Sequence, residues 1–323
     1  SIFIMGCLRE FEDCLGTKGG SAYIDGCGGC VSGLTDAEAC IDVDQDGYDD
    51  VDIAFLQDMK NTFEILADSN LLNIGDQYWR GGRLVRFSCN SCNLSGEIPE
   101  SISNLIYLEN LELTDNFLIG TIPESIGNLI NLKNIRLNDN LLTGVIPEAI
   151  GNLINLGKKY NVFTINDVEV MELYGGLNLR DNQLTGEIPS EIGNLTNLTN
   201  LWLSGNTLTG EIPSEIGNLA NLIRLDLKNN QLSGEIPSEI GNLVNVTSID
   251  LYQNELTGKI PSEIGGLSHL TWLILSSNQL NGKIPIKVWN LANLTTLSLY
   301  ANQLTGEIPS EIGNLVNLNS LQL

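Results

Sequence analysis

The segment LTGEIPSEIGNL occupies 184–195, 208–219 and 304–315, and returns as LSGEIPSEIGNL at 232–243. Anchored on its glycine, the register runs Gly96, Gly120, Gly144, Gly186, Gly210, Gly234, Gly258, Gly282 and Gly306, in steps of 24 residues. One step, Gly144 to Gly186, is longer by 18. Such a period belongs to a solenoid, in which each unit buries its apolar face only against its neighbours. Function in such a chain is expected on the surface that stacking creates.

Within one unit, for example 198–210, Leu198, Leu201, Leu203 and Leu208 recur at positions that point inward. The alternation about Leu201 and Leu203 predicts a short strand, paired in parallel with the same strand of the next unit. Asn206 has counterparts at Asn116, Asn140, Asn182, Asn230, Asn254, Asn278 and Asn302. An amide both donates and accepts, so this column is expected to satisfy backbone groups in the turn and to be structural. Glycine then allows a tight turn, Ile-Pro runs extended, and SEIGNL makes a helical turn on the outer side.

Residues 84–323 resemble leucine-rich repeats, specifically the 24-residue LxGxIPxxIGNL class of plant receptor-kinase ectodomains and polygalacturonase-inhibiting proteins. The resemblance implies a curved α/β solenoid with a concave parallel sheet. It also implies ligand recognition by the surface, and no catalysis. A helix at 52–66, Trp79 and Gly82-Arg83-Leu84-Val85-Arg86-Phe87 are similar to the capping helix and first strand of those receptors. Asp25-Gly26-Cys27-Gly28-Gly29-Cys30 and its surroundings are instead similar to Cys/Gly-rich segments of large secreted marine bacterial proteins.

The organisation read from this is 1–40, Cys/Gly-rich; 41–83, an acidic loop and capping helix; and 84–323, nine full repeats and a partial tenth. The helix rests on Ile53, Leu56, Met59, Phe63 and Leu66, apolar at three- and four-residue spacing. Two departures from the repeat stand out. The insertion 157–174 alternates at Tyr160-Val162-Thr164 and Val168-Val170, as a hairpin or extruded loop would; a functional loop and a scar of repeat duplication are equal readings. Leu318, Leu321 and Leu323 make a strand with no cap after it, so either more protein follows or something covers that end.

No cysteine lies beyond Gly96, the first glycine of the register. Cys14, Cys27, Cys30, Cys40, Cys89 and Cys92 are disulfide candidates with 15 pairings open, and Cys7 makes an odd seventh. Disulfides imply an oxidising compartment and hence an extracellular or cell-surface protein. The pairs Cys27/Cys30 and Cys89/Cys92 also have the spacing of a four-cysteine zinc site, a weaker reading. Ile4-Met5-Gly6-Cys7 is a short, weak match to a lipoprotein cleavage site. No apolar run is long enough for a transmembrane segment.

Charge excludes one class of partner. The chain has 40 acidic and 16 basic residues, a net −24 at pH 7, which argues against nucleic acid. Its sharpest acidic motif is Asp42-Val-Asp44-Gln-Asp46-Gly47-Tyr48-Asp49-Asp50-Val-Asp52. Carboxylates at positions 1, 3 and 5, glycine at 6 and a carbonyl at 7 suit Ca²⁺, and the loop resembles dockerin and thrombospondin-type calcium loops. The candidate ligands are Asp42, Asp44, Asp46, Tyr48 through its carbonyl, and Asp50 or Asp52 as the closing acid. Position 12 is Ile53, so the loop is one residue short; the alternative is a solvated acidic turn that caps the helix.

On the concave face, Trp202, Asp226, Asp250, Tyr252, Trp272 and Tyr300 are the ligand-binding candidates, since exposed aromatics anchor peptides or sugar rings. Strand propensity alone also places aromatics on sheets. Polar residues, Asn110, Glu112, Asn134, Arg136, Asn178 and Arg180, fill the same positions in the early repeats. Outside, Glu187, Glu211 and Glu235, and Glu191, Glu215, Glu239 and Glu263, form like-charged ladders that repeat duplication explains. Sequons stand at Asn93, Asn194, Asn197, Asn245 and Asn293. His269 is the only histidine, with no cleft implied near it, so an enzyme is not expected. The function read from all this is a non-enzymatic scaffold for recognition or adhesion, its partner a protein or glycan. The alternative is a subunit that stacks on copies of itself end to end into a filament.

Overall fold

A computed structural model describes residues 22–24, 30–32, 42–161 and 172–323. Its backbone is the predicted curved stack. The concave sheet has eleven strands: an antiparallel pair, Asp76–Arg80 with Arg83–Ser88, followed by nine strands in parallel. These run from Asn110–Glu112 through Asn134–Arg136, Leu177–Asn178, Asn200–Trp202 and Arg224–Asp226 to Ser320–Gln322. Leucine or isoleucine sits at the centre of each repeat strand, and Leu201, Leu225, Ile249 and Leu273 are register partners that are fully buried or nearly so. One continuous apolar cluster extends from Phe55 to Leu315.

The outer segment of each repeat is a five-residue 3-10 helix, such as Ser190–Asn194, opened by a proline in extended conformation. Its glycine has a stacking reason: a Cβ on Gly193 would fall 2.6 Å from the Cβ of Glu215 on the next coil. The turn glycine is conformational instead, Gly210 having a φ of +75°. Sequence reading did not anticipate the small parallel ladders on the flank, Ser95–Glu97 with Phe117–Ile119 and Asn281–Lys283 with Gln303–Thr305.

The N-terminal helix is shorter than expected. It spans Asp50–Thr62, and Leu66 lies in a separate 3-10 turn, Glu64–Leu66. Phe63 is extended between them (φ −105°, ψ 107°) and only 1% exposed. Thr and Phe are weak helix formers, and breaking there sets the Phe63 ring beneath the first coil, against Gly96. Phe55, Leu56 and Met59 cover the open end of the spine, as a solenoid cap must.

The ends of the insertion pair as an antiparallel hairpin, Lys159–Asn161 with Glu172–Tyr174. Its alternating residues Val162, Thr164, Val168 and Val170 lie outside the described residues, as do Cys7, Cys14, Cys27 and Cys40. Cys30 is described only as part of a short strand, Cys30–Ser32.

Candidate functional site

Three side-chain columns make the concave face. At the first strand position the register brings together Arg86, Asn110, Asn134, Asn200, Arg224, Ser248, Trp272 and Thr296. Two residues on stand Ser88, Glu112, Arg136, Asn178, Trp202, Asp226, Asp250, Ile274 and Ser298. Lys228, Tyr252, Ser276 and Tyr300 belong to a third column, two residues further again.

The six predicted ligand residues fall into these columns but do not form one cluster. Trp202, Asp226 and Asp250 are successive rungs of the second column, whereas Trp272 belongs to the first. Trp272 and Tyr300 are exposed, at 45% and 38%; Trp202 and Tyr252 are half-buried. The rings of Tyr252 and Tyr300 are 6.5 Å apart, two coils apart in sequence, on either side of the buried Ser276. Lys228 Nζ lies 3.4 Å from Asp250 and 3.9 Å from Asp226, and Ser204 Oγ donates to Asp226 at 3.0 Å. Burial pushes the Asp226 carboxyl above its usual range, against the pull of Lys228.

The asparagine column holds the coils together. Asn206 Oδ1 accepts from Leu184 N at 3.0 Å, and its Nδ2 donates to the carbonyls of Leu179, Leu203 and Ser204. Asn116, Asn140, Asn182, Asn230, Asn254, Asn278 and Asn302 repeat the pattern. A second amide ladder went unrecognised in the sequence. Asn131, Asn155, Asn197, Asn221, Asn245, Asn293 and Asn317 each donate to a carbonyl of the preceding coil at 2.7–2.8 Å. His269 replaces one rung, its Nδ1 lying 3.0 Å from the Val244 carbonyl. The second Asn of NLxNL was the available signal. Sequons Asn197, Asn245 and Asn293 therefore carry structural amides, and the first two line an open recess of ≈ 470 Å³ beside the strand starts.

In the acidic loop, carboxylate oxygens of Asp42, Asp44 and Asp50 lie within 4.8 Å of one another. Of the two candidate closing acids, Asp50 is the one that lies with the loop carboxylates. Asp42, Asp44 and Asp50 also accept backbone N–H groups of the loop, from Val43, Asp46 and Gly47. Asp46 lies outside the cluster and accepts from Tyr48 N at 2.9 Å, and the Tyr48 ring packs edge-on against Trp79, centroids 4.8 Å apart. Asp52 does not belong to the loop. Fully buried, it accepts from Arg83 Nε and Nη2 at 3.1 Å and from Leu84 N at 2.7 Å. Desolvation pushes its pKa up to about 6 although Arg83 opposes it. Asp49 caps the helix by accepting from Val51 N and Asp52 N, and pairs with Arg83 Nη1 at 2.8 Å. This Asp49–Arg83–Asp52 triad, which sequence reading did not single out, fastens the capping helix to the first strand.

The zinc arrangement does not form at Cys89 and Cys92. The two are joined to each other as a disulfide, their Cα atoms 5.5 Å apart. Left-handed Ser91 and Asn93 fold the turn tightly enough to bring them together, so this bond pins a turn and does not staple distant segments.

A stacked sheet with an apolar spine, amide ladders and a variable inner face defines a repeat solenoid. Leucine rich repeat profiles match 83–105, 107–129, 131–153, 176–195, 197–219, 221–280 and 293–315. The chain belongs to the leucine-rich repeat family. Among solved structures it is similar to the plant peptide hormone receptor RGFR1 in complex with RGF2, at 43% identity over 69% of this chain and 33% of that one, TM-score 0.63. It is also similar to the ectodomain of the Arabidopsis thaliana membrane receptor kinase GASSHO1/SCHENGEN3 in complex with CASPARIAN STRIP INTEGRITY FACTOR 2 (32% identity, 83% and 34% coverage, TM-score 0.69). A third is the Arabidopsis receptor kinase HAESA with the peptide hormone IDA and the co-receptor SERK1 (28%, 85% and 49%, TM-score 0.62). The chain thus spans 33–49% of the length of these receptors. No curated protein matches it in sequence. Among the described residues no helix is long and apolar enough to cross a membrane.

Proposed function

We propose that this chain is a non-enzymatic extracellular recognition module that binds a protein or peptide ligand along its concave face. One observation carries the reading: the repeats differ from one another more inside the curve than outside it. The second concave column reads Ser88, Glu112, Arg136, Asn178, Trp202, Asp226, Asp250, Ile274, Ser298, Gln322, whereas the corresponding convex column reads Ser101, Ser125, Ala149, Glu191, Glu215, Glu239, Glu263, Lys287, Glu311, five of them glutamate. Stacking needs only the leucines, glycines and asparagines. A specific ligand needs chemically distinct neighbours, and the inner columns, with their aromatics, supply the greater variety. The receptor ectodomains that resemble this chain, several solved with peptide hormones, support the same reading, and the Cys89–Cys92 disulfide supports an oxidising compartment. The test is selection of binders from a random displayed-peptide library. Loss of at least tenfold in affinity for Trp202→Ala and Trp272→Ala, with Glu191→Lys and Glu215→Lys unaffected, supports the proposal; binders insensitive to both concave changes refute it.

We further propose that the loop at Asp42, Asp44 and Asp50 holds Ca²⁺ in a structural role. Three convergent carboxylates on a turn with left-handed Gln45 and Gly47 support it. The ion would screen their repulsion ahead of the helix start at Asp50.

A further inference from the structure

Each rung of the amide ladder beside the strand starts commits its Nδ2 to a carbonyl of the coil before it, which leaves Oδ1 as an acceptor. The fate of that oxygen differs along the stack. At Asn155 it accepts from Lys158 Nζ at 2.6 Å, and at position 269 a histidine stands in place of the amide. Between these lie Asn197, Asn221 and Asn245, whose Nδ2 groups donate at 2.8 Å to the carbonyls of Ile154, Thr196 and Ala220. Among the described residues no donor reaches the Oδ1 of any of the three.

These three amides line the recess of ≈ 470 Å³. The root of the insertion closes one end of it. Gly157, left-handed at φ +92°, lies so tightly on the next coil that a Cβ would collide with the backbone of Asn197 and Leu198. The floor is the half-buried Ile223, with Thr199 and Thr247 on the coils to either side. Both hydroxyls are turned to the backbone, Thr199 Oγ1 donating to Gly175 O at 2.7 Å and Thr247 Oγ1 to Ile223 O at 3.1 Å. The recess therefore joins an apolar floor to a row of acceptors, one per coil and so about 4.8 Å apart, and no carboxylate lines it.

We infer that this recess is a carbohydrate subsite, taking a pyranose unit whose hydroxyls are equatorial. In such a ring alternate hydroxyls lie about one coil spacing apart, so two of them donate to successive amide oxygens while a C–H face of the ring rests on Ile223. An extended peptide would present donors and acceptors in alternation, and this row only accepts. The subsite stands on the flank of the solenoid and does not depend on what the concave columns bind. Protein labelled with ¹⁵N at asparagine side chains and ¹³C at isoleucine methyls is titrated with methyl β-glucopyranoside and, separately, with methyl β-galactopyranoside, whose fourth hydroxyl is axial. Expected with the glucoside is a saturable shift at the amides of Asn197, Asn221 and Asn245 and at the Ile223 methyl. Asn293 and Asn317, rungs of the same ladder outside the recess, should drift only linearly. The galactoside should bind at least tenfold more weakly. Ile223→Lys, the residue that Lys133 supplies at this position of an earlier repeat, should weaken glucoside binding at least tenfold with the melting temperature kept. If the glucoside saturates none of the three amides beyond the drift of Asn293, the subsite is refuted, and this result needs no variant to fold. Equal saturation by the two sugars refutes the match of hydroxyls to the amide row, and the proposal with it.

Discussion

Replacing Asn206 with alanine tests how the coils are held together. The bond that matters can be worked out by following each partner. The carbonyl of Leu179 keeps a second donor in Asn182 Nδ2 at 3.1 Å, that of Leu203 keeps Asn230 Nδ2 at 3.1 Å, and that of Ser204 keeps Asp181 N at 2.8 Å. Only the amide of the fully buried Leu184 loses its acceptor. One orphaned buried donor costs about 1–3 kcal/mol, so Asn206→Ala should destabilise by about 2 kcal/mol. Asn302→Ala, at a half-buried rung near the last coil, should cost under about 1 kcal/mol, because water reaches the vacated site. Asn206→Asp should be worse than alanine, since a buried carboxylate would face three carbonyl oxygens. Urea unfolding gives the free energies, and hydrogen exchange at the Leu184 amide reports the bond directly. A loss below about 0.5 kcal/mol for Asn206→Ala, with Leu184 still protected as in the wild type, would refute the reasoning.

Four further outcomes are expected. Gly193→Ala, whose Cβ would meet Glu215 at 2.6 Å, should destabilise by about 1–3 kcal/mol, whereas Gly313→Ala, with nothing within 4 Å, should be neutral by thermal melting. Arg83→Gln strands the buried Asp49 and Asp52 and should cost about 3–5 kcal/mol, read by urea unfolding. Burial raises the Asp226 carboxyl above its ordinary 3.8. The folded state therefore binds more protons than the unfolded chain just above that pH, and stability falls as pH rises through the window. Asp226→Asn should flatten that segment of the stability curve relative to wild type. Removing Ca²⁺ with EDTA should lower the melting temperature of the wild type, and leave Asp42→Asn/Asp44→Asn unchanged; an equal melting temperature with and without EDTA in the wild type would dismiss the ion.

The solenoid was legible because its rule is local and recurs. A 24-residue spacing of leucine, asparagine and glycine repeats the same burial, amide bond and turn, and a pattern copied many times is hard to misread. The capping helix was legible from its apolar spacing, but its end was not. Phe63 could continue the helix by pattern, and only its seat against Gly96 makes the extended conformation the better one. The acidic loop shows a similar division. Asp50 and Asp52 were equal candidates for the closing position until Arg83, 31 residues beyond Asp52 in sequence, claimed one of them.

The sequence by itself determined the stack, its spine, its amide column and which positions face inward, because each depends on neighbours one period away. Tertiary structure decided what those inward positions amount to. Trp202 and Trp272 lie in different columns, Tyr252 and Tyr300 approach across an intervening coil, and Glu112 is taken by amides. Such outcomes depend on strand register and on competition among side chains for one another, and no spacing along a single chain records who wins.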